Sequence, residues 1–119
     1  MKDFRNLKIW VNSHKYTLKV YEMTSTFPSH EKYGVISQIC RAASSVPTNI
    51  AEGCGRNSDA DFSRFIVMAI GSISETESLL ILCKDLKYIS EDKYTLMQNE
   101  LNSIKMMLIS FLKSLKPKA

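Results

Sequence analysis

Glycine and proline are scarce in this chain, which has four glycines and three prolines among 119 residues. Average usage would supply about fourteen of the two together. Proteins made of short strands need these residues at their many turns, so the shortage argues against an all-β fold and favours helices. No apolar run approaches the roughly 20 residues that a membrane-spanning helix needs. The N-terminal residues 1–5 also lack the apolar core of a signal peptide, so we expect a cytoplasmic protein with no membrane contact.

Metal-binding and redox motifs are missing as well. The three cysteines (Cys40, Cys54 and Cys83) form no CxxC pair, which indicates reduced thiols in a reducing compartment. The two histidines, His14 and His30, stand apart, and the Glu-x-x-His motif of di-iron helical bundles is absent. We therefore expect no metal, no cofactor and no small-molecule substrate.

Charge is distributed unevenly along the chain. Residues 1–19 contain five basic residues and one acid, and residues 101–119 contain four basic residues and no acid. The middle, 20–100, has seven basic and eleven acidic residues. Both ends are therefore basic while the body is acidic, and a basic surface attracts polyanions such as nucleic acid.

Hydrophobic spacing predicts four helices, at about 7–26, 31–54, 58–86 and 90–115. The predicted core stripe of the first helix consists of Leu7, Trp10, Val11, His14, Leu18 and Tyr21. Ser29, Ser58 and Ser90 stand where N-caps of the next three helices are expected. Helices of this length with short loops favour a single all-α domain over 1–119, an up-down-up-down antiparallel four-helix bundle. This topology predicts that the two basic ends and the loop after the second helix meet at one pole.

The segment 46–56 departs from ordinary helix composition, because it contains Pro47, Gly53 and Gly55. Proline is expected to kink or split the second helix near residue 47, and the glycines to end it. The segment is not a phosphate-binding loop, since it lacks the Lys-Ser/Thr pair and a preceding strand.

Polar residues form a second stripe on the second helix, where Arg41, Ser45, Asn49 and Glu52 follow offsets of four, four and three. On the third helix, Gly71 gives room for close approach of another element. Three readings stay open. In the first, Arg41, Glu52 and Glu75 are solvated charges. In the second, they form a polar network within the bundle or between subunits. In the third, which has least support, the two glutamates are catalytic.

Several motifs together resemble one known family. They are Phe27-Pro28, Glu31-x-Tyr33-Gly34, Gln38-x-x-Arg41-Ala42-Ala43-x-Ser45-Val46-Pro47-x-Asn49-Ile50-Ala51-Glu52-Gly53, Gly55-Arg56, Phe62-x-x-Phe65, Ala69-x-Gly71-Ser72 and Glu75. This combination closely resembles the 23S rRNA intervening-sequence proteins, also called four-helix-bundle proteins. The fold is also similar to that of an accessory protein of diversity-generating retroelements.

The resemblance implies a homopentamer of small four-helix bundles without established enzymatic activity. In the similar retroelement protein, a basic surface of the pentamer binds a reverse transcriptase and nucleic acid, and the resemblance implies a comparable surface here. The matching positions (Arg41, Asn49, Glu52, Gly53, Arg56, Gly71 and Glu75) are interpreted as packing and assembly residues.

We therefore expect a non-enzymatic oligomer that binds RNA or a nucleoprotein partner through basic surfaces. The candidate contacts are Lys2, Arg5, Lys8, Lys113, Lys116 and Lys118. The alternative is a structural or protein-interaction module without a nucleic-acid role.

Overall fold

A computed structural model describes residues 3–115 and contains four long helices. They are α1 (Lys8–Thr24), α2 (Val35–Cys54), α3 (Asp59–Asp85) and α4 (Glu91–Leu115). Short 3-10 turns at Phe4–Asn6 and Ser29–Glu31 precede α1 and α2. No strand occurs within the described residues, so the predicted all-α class is confirmed.

Contacts between neighbouring helices show that the helices run in opposite directions. On α1 and α4, Asn12 Nδ2 lies 3.5 Å from Met107 Sδ, and Lys19 Nζ donates to Glu100 at 2.9 Å. A later position on α1 thus meets an earlier position on α4, as antiparallel helices require.

The other helix pairs follow the same order. Arg41 pairs with Glu75 across α2 and α3, while Gly53 lies against Phe62. On α3 and α4, Glu77 meets Lys105, whereas the earlier Phe62 meets the later Phe111. On α1 and α2, Thr17 contacts Ala43 and the later Thr24 contacts the earlier Cys40. The chain therefore runs up, down, up and down.

A continuous hydrophobic core fills the space between the four helices. Its fully buried centre is formed by aliphatic residues from all of them, namely Val20, Ile39, Ile50, Ile66, Ile73, Leu80, Met97, Leu101 and Leu108. Burial of this apolar surface is the main force that holds the bundle together.

The start of α2 differs from the sequence expectation. The α-helix begins at Val35, and the preceding residues form a 3-10 turn, so Ser29 does not cap α2. The N-cap residue is Gly34, which has no side chain to accept a hydrogen bond, and the Glu31 carboxylate accepts from the Val35 backbone N–H at 3.2 Å instead. The same carboxylate accepts from the Tyr88 hydroxyl at 2.8 Å, which ties the α1–α2 connection to the α3–α4 turn. Ser58 and Ser90 cap α3 and α4 as predicted, accepting from backbone N–H groups at 3.1 and 3.0 Å.

Pro47 lies inside α2 without dividing it, since the helix is continuous from Val35 to Cys54. Proline has no N–H, so the carbonyl of Ala43, four residues earlier, loses its usual donor. The hydroxyl of Thr17 on α1 offers a partial replacement, because its single hydrogen is shared between the Ser13 carbonyl at 2.8 Å and the Ala43 carbonyl at 3.2 Å. The neighbouring helix thus partly satisfies the acceptor that proline leaves without a donor.

The predicted core stripe of α1 is confirmed only at its start, where Leu7 and Trp10 pack against the core, and is wrong further along. Its buried residues are Ile9, Ser13, Tyr16, Thr17, Val20, Met23 and Thr24. From the predicted stripe, Leu18 and Tyr21 are more than half exposed, and His14 is exposed too. The helix therefore has two apolar stripes, and the bundle buries the one that contains polar Ser13 and Thr17. Their hydroxyls can be buried because each donates to a backbone carbonyl of the same helix.

Candidate interaction surfaces

The predicted polar stripe of α2 is joined to α3 at one point. An Arg41 guanidinium nitrogen lies 3.6 Å from a Glu75 carboxylate oxygen, and both side chains are largely exposed. Asn49 instead donates to the Ser45 carbonyl of its own helix at 2.8 Å, and Ser45 donates to the Arg41 carbonyl. The contacts of the described residues therefore join Arg41 to Glu75, while the rest of the stripe makes local helix contacts.

Gly53 and Arg56 act at the end of α2, where this helix meets α3. A Cβ built on Gly53 would lie 2.7 Å from the Phe62 ring and 2.8 Å from Phe65 Cβ, so glycine permits this close approach. The Arg56 guanidinium lies over the Phe65 ring, 4.7 Å from its centroid. Arg64 lies over the same ring at 5.0 Å. Two cations therefore cover an aromatic ring that is itself buried.

Gly71 does not serve packing inside the subunit, contrary to that part of its predicted role. A Cβ built there would meet no atom within 4 Å, and the residue is exposed. Its role between subunits stays a prediction.

Gly71 lies on an uncovered side of α3 that is apolar at its two ends. Val67 and Met68 lie on its N-terminal side and Ile81 and Leu82 on its C-terminal side, each between 43% and 55% exposed. The small residues Ser74 and Ser78 occupy the middle, and Glu75 is the one charged residue among positions 67–82 that is exposed. We call Val67, Met68, Gly71, Ser74, Ser78, Ile81 and Leu82 the α3 outer face. Exposed apolar clusters of this kind are typical of an interaction site.

Three residues of the predicted α1 stripe, Trp10, His14 and Tyr21, line a groove between α1 and α2. It consists of two adjoining cavities of about 500 and 450 Å³ that share Tyr21 and Ser44. Trp10 and His14 stack on the α1 side, with ring centroids 4.7 Å apart. The remaining lining residues include Phe4, Tyr33, Ile36, Cys40, Pro47, Thr48, Ala51 and Glu52. We call this cavity the α1–α2 groove.

Contacts confirm that the start of α1 and the ends of α2 and α4 meet at one pole, because Phe4 lines a cavity with Glu52 and Phe62 packs on Phe111. Arg5 is bonded to Asp3 at 2.9 Å there, whereas Lys8 and Lys113 are exposed. Lys2, Lys116 and Lys118 lie outside the described residues.

A polar cluster between α3 and α4 was not predicted from the sequence. Glu77 accepts from Gln98 at 2.8 Å and pairs with Lys105 at 3.0 Å. These two contacts lower the pKa of Glu77 against the opposing effect of burial, which is the largest single influence on it. The signal available in sequence was the pair of ionisable residues at otherwise apolar positions of α3 and α4.

The two glutamates considered as catalytic candidates lie on different surfaces of the bundle. Glu75 on α3 pairs with Arg41 on α2, whereas Glu52 lines the α1–α2 groove, so the two glutamates do not act as a pair. Among residues 3–115, no group of three or more His, Cys, Asp or Glu side chains is placed to hold a metal ion.

The expectation of no long apolar segment needs correction at α3. An 18-residue window of this helix has a mean hydropathy of 1.6, which by length and composition is enough to cross a membrane. A third of that window is buried in the bundle (33%). Core helices of soluble proteins can also reach this length and mean hydropathy. The window's apolar character therefore combines a core face with the α3 outer face.

Comparisons with known proteins agree with this architecture. The sequence profile described as 23S rRNA-intervening sequence protein matches residues 5–110. Among solved structures, the chain is similar to a protein of unknown function from the S23 ribosomal protein family of Bacteroides thetaiotaomicron VPI-5482. The TM-score is 0.79 at 26% identity, over 88% of this chain and 98% of the other. No protein with a curated function matches significantly. Because the family profile spans most of the helical bundle, the chain belongs to the 23S rRNA-intervening sequence protein family.

Proposed function

We propose that this protein is a non-enzymatic bundle that assembles with copies of itself in the cytoplasm and presents a basic pole to RNA or a nucleoprotein. The observation that carries the proposal is the α3 outer face, which the subunit leaves uncovered with exposed apolar residues at both ends. Burying these residues against a second copy removes apolar surface from water, which is the main favourable term in protein association.

The α1–α2 groove is a suitable receptor for the α3 outer face. The α3 outer face forms a strip over residues 67–82, about 22 Å along a helix. The groove extends from Ile36 to Ala51 on α2, which is the same distance. A strip on one side of the subunit and a groove on another form a head-to-tail contact, and such contacts close into rings when the rotation allows. The family resemblance implies a ring of five.

Charge-inserting variants on each surface test this arrangement. Val67→Glu places a carboxylate on the strip, and Thr48→Glu places one in the groove; both positions are exposed. We expect light scattering to show an oligomer for the natural protein and a monomer for each variant at micromolar concentration. A mixture of the two variants should form heterodimers, because one good strip and one good groove remain.

Asn99→Glu, on the exposed side of α4, is the matched control and should leave the oligomer intact. A monomeric natural protein would overturn the assembly proposal, and a monomeric mixture would overturn the head-to-tail pairing. Binding of the natural protein to lipid vesicles, lost in Val67→Glu, would assign the strip to a membrane instead.

The nucleic-acid part of the proposal rests on Lys8 and Lys113, which are exposed at the pole that also receives both ends of the described chain. Phosphate contacts make binding salt-dependent, because counterions are released. A Lys8→Glu/Lys113→Glu variant should bind a structured RNA less tightly and with a shallower salt dependence than the natural protein. Lys87→Glu/Lys93→Glu, on the opposite side, is the control.

Equal RNA binding by both double variants would remove the pole from the proposal. Failure of the natural protein to bind RNA at low salt would favour the alternative, a protein-interaction module without a nucleic-acid role.

A further inference from the structure

A second groove runs along the seam between α1 and α4, on a side of the bundle that the proposed assembly does not use. It consists of two adjoining cavities of about 610 and 230 Å³ that share Ser103 and Met107. The lining reaches from Glu100 to Ser114 on α4, about 21 Å along the helix. We call it the α1–α4 groove.

The floor of the α1–α4 groove is apolar and adaptable. Ile9 is buried there, and Met107 and Phe111 are half-buried. Met106 lies at the edge and is 57% exposed. Methionine has three rotatable bonds and a polarisable sulfur, and surfaces rich in it adapt to varied apolar side chains. The floor therefore suits a partner that inserts aliphatic or aromatic groups.

The two walls differ in charge. On the α1 side, Lys15 and Lys19 line the groove, and Lys8 precedes them on the same helical row. On the α4 side, Ser103, Ser110 and Ser114 present hydroxyls. Glu100 is the one carboxylate among the described lining residues, and it is occupied by Lys19 at 2.9 Å. The cationic side of the groove therefore rests on Lys15, with Lys8 beyond the lining on the same row, because Lys19 is neutralised by Glu100.

We propose that the α1–α4 groove binds an amphipathic helix of a partner protein, with the apolar stripe of that helix on the floor and its acidic flank toward Lys8 and Lys15. Helices recognised in grooves are read through apolar anchors at positions i, i+3, i+4 and i+7. The groove length accommodates about fourteen residues of helix. A polyanionic nucleic-acid backbone would satisfy Lys15 but would leave Met106 and Phe111 without apolar partners, so the floor favours protein.

A synthetic peptide of about fifteen residues is the probe, with leucine and phenylalanine at the anchor positions and glutamate along one flank. A second peptide with lysine in place of every glutamate is its control. In protein labelled with ¹³C at the methionine methyl groups, the acidic peptide should shift the signals of Met106 and Met107. Met68, on the α3 outer face, should not respond. The lysine peptide should leave all three signals in place.

Variants then separate groove binding from general attraction. Lys15→Glu should weaken binding of the acidic peptide about tenfold, since an attraction becomes a repulsion next to the peptide's carboxylates. Lys87→Glu makes the same charge change in the α3–α4 turn and should alter binding less than twofold. Circular dichroism of both variants should match that of the natural protein.

The measurement is repeated in the Val67→Glu background, so that it stands whether or not the protein assembles. Absence of methyl shifts at millimolar acidic peptide overturns the proposal, as does a shift confined to Met68. A structured RNA that shifts Met106 and Met107 when neither peptide does would assign the groove to nucleic acid and overturn it too.

Discussion

The α2–α3 seam and the α1–α4 seam are built from opposite kinds of side chain. At the first, Gly53 lies directly against Phe62 and Phe65. At the second, long side chains meet across a groove, with Asn12 on Met107 and Lys19 on Glu100.

The difference shows how a small bundle separates stability from recognition. Small residues allow backbones to approach and exclude water, so the α2–α3 seam resembles the inside of a protein. Long amphipathic residues hold α1 and α4 together through their tips while their stems line an open groove. We therefore expect substitutions at the first seam to alter folding and those at the second to alter mainly binding.

Gly53→Ala should have the largest effect of the single changes considered. The added Cβ would collide with two phenylalanines, and overpacking of this kind costs about 1–3 kcal/mol. We expect urea denaturation of the monomeric Val67→Glu background to show a free energy of unfolding lower by about 2 kcal/mol. Gly71→Ala is the matched control and should raise stability by about 0.5–1 kcal/mol, because its Cβ enters open space. Similar effects of the two changes would contradict the distinction between the positions.

Thr17→Val should cost about 1 kcal/mol, since it leaves the Ala43 carbonyl without the donor that replaces the N–H missing from Pro47. In a Pro47→Ala background the helix regains that N–H, so the same substitution should cost much less. A double-mutant cycle measures this coupling. Additive free energies would show that the Thr17 hydroxyl does not compensate for Pro47.

The pole opposite the termini gives a smaller, pH-dependent effect. The Tyr88 hydroxyl, followed by the Val35 N–H, lowers the pKa of Glu31 below its ordinary value near 4.5. Because the folded-state pKa is depressed, the ionised carboxylate stabilises the fold above pH 4.5, and this stabilisation is lost as the pH falls through the lowered value.

Tyr88→Phe removes the larger of the two hydrogen bonds that lower this pKa. Its free energy of unfolding should therefore fall less than that of the natural protein between about pH 5 and pH 3. Tyr33→Phe removes a hydroxyl from a residue that is 87% exposed and should keep the natural pH profile. Identical profiles for Tyr88→Phe and the natural protein would mean that this hydrogen bond does not set the pKa of Glu31.

Lys19→Met should have the smallest effect, below about 0.5 kcal/mol, because the ion pair with Glu100 is at the surface and screened by salt. The effect should shrink further at high salt in thermal denaturation, with Lys15→Met as the control. A loss as large as that of Gly53→Ala would show that the α1–α4 seam contributes to folding as strongly as the α2–α3 seam.

Local chemistry made much of the fold predictable. Apolar spacing indicated four helices, and the caps at Ser58 and Ser90 are confirmed, because a capping hydroxyl acts on residues three positions away. The beginning of α2 was less accessible, since Glu31 is positioned by Tyr88, which lies 57 residues further along the chain. Local patterns do not contain such contacts.

The surfaces were harder to predict than the core. Helix α1 has two stripes of suitable spacing, and the more apolar one, with Leu18 and Tyr21, faces outward. Hydrophobicity alone selects the wrong stripe, because it does not reveal that Thr17 is needed beside Ala43. The grooves depend on how separate helices pack, so neither could be found from one helix at a time.

The pairing of Thr17 with Ala43 beside Pro47 also constrains the order in which this sequence can change. If Thr17 is replaced before Pro47, the buried Ala43 carbonyl loses its hydrogen-bond donor, which destabilises the protein. If Pro47 is replaced first, the helix supplies the donor and the Thr17 hydroxyl is no longer needed. Drift away from this arrangement therefore has a preferred direction. In related chains, we expect proline at this position of α2 to occur together with a hydroxyl or another donor at the facing position of α1.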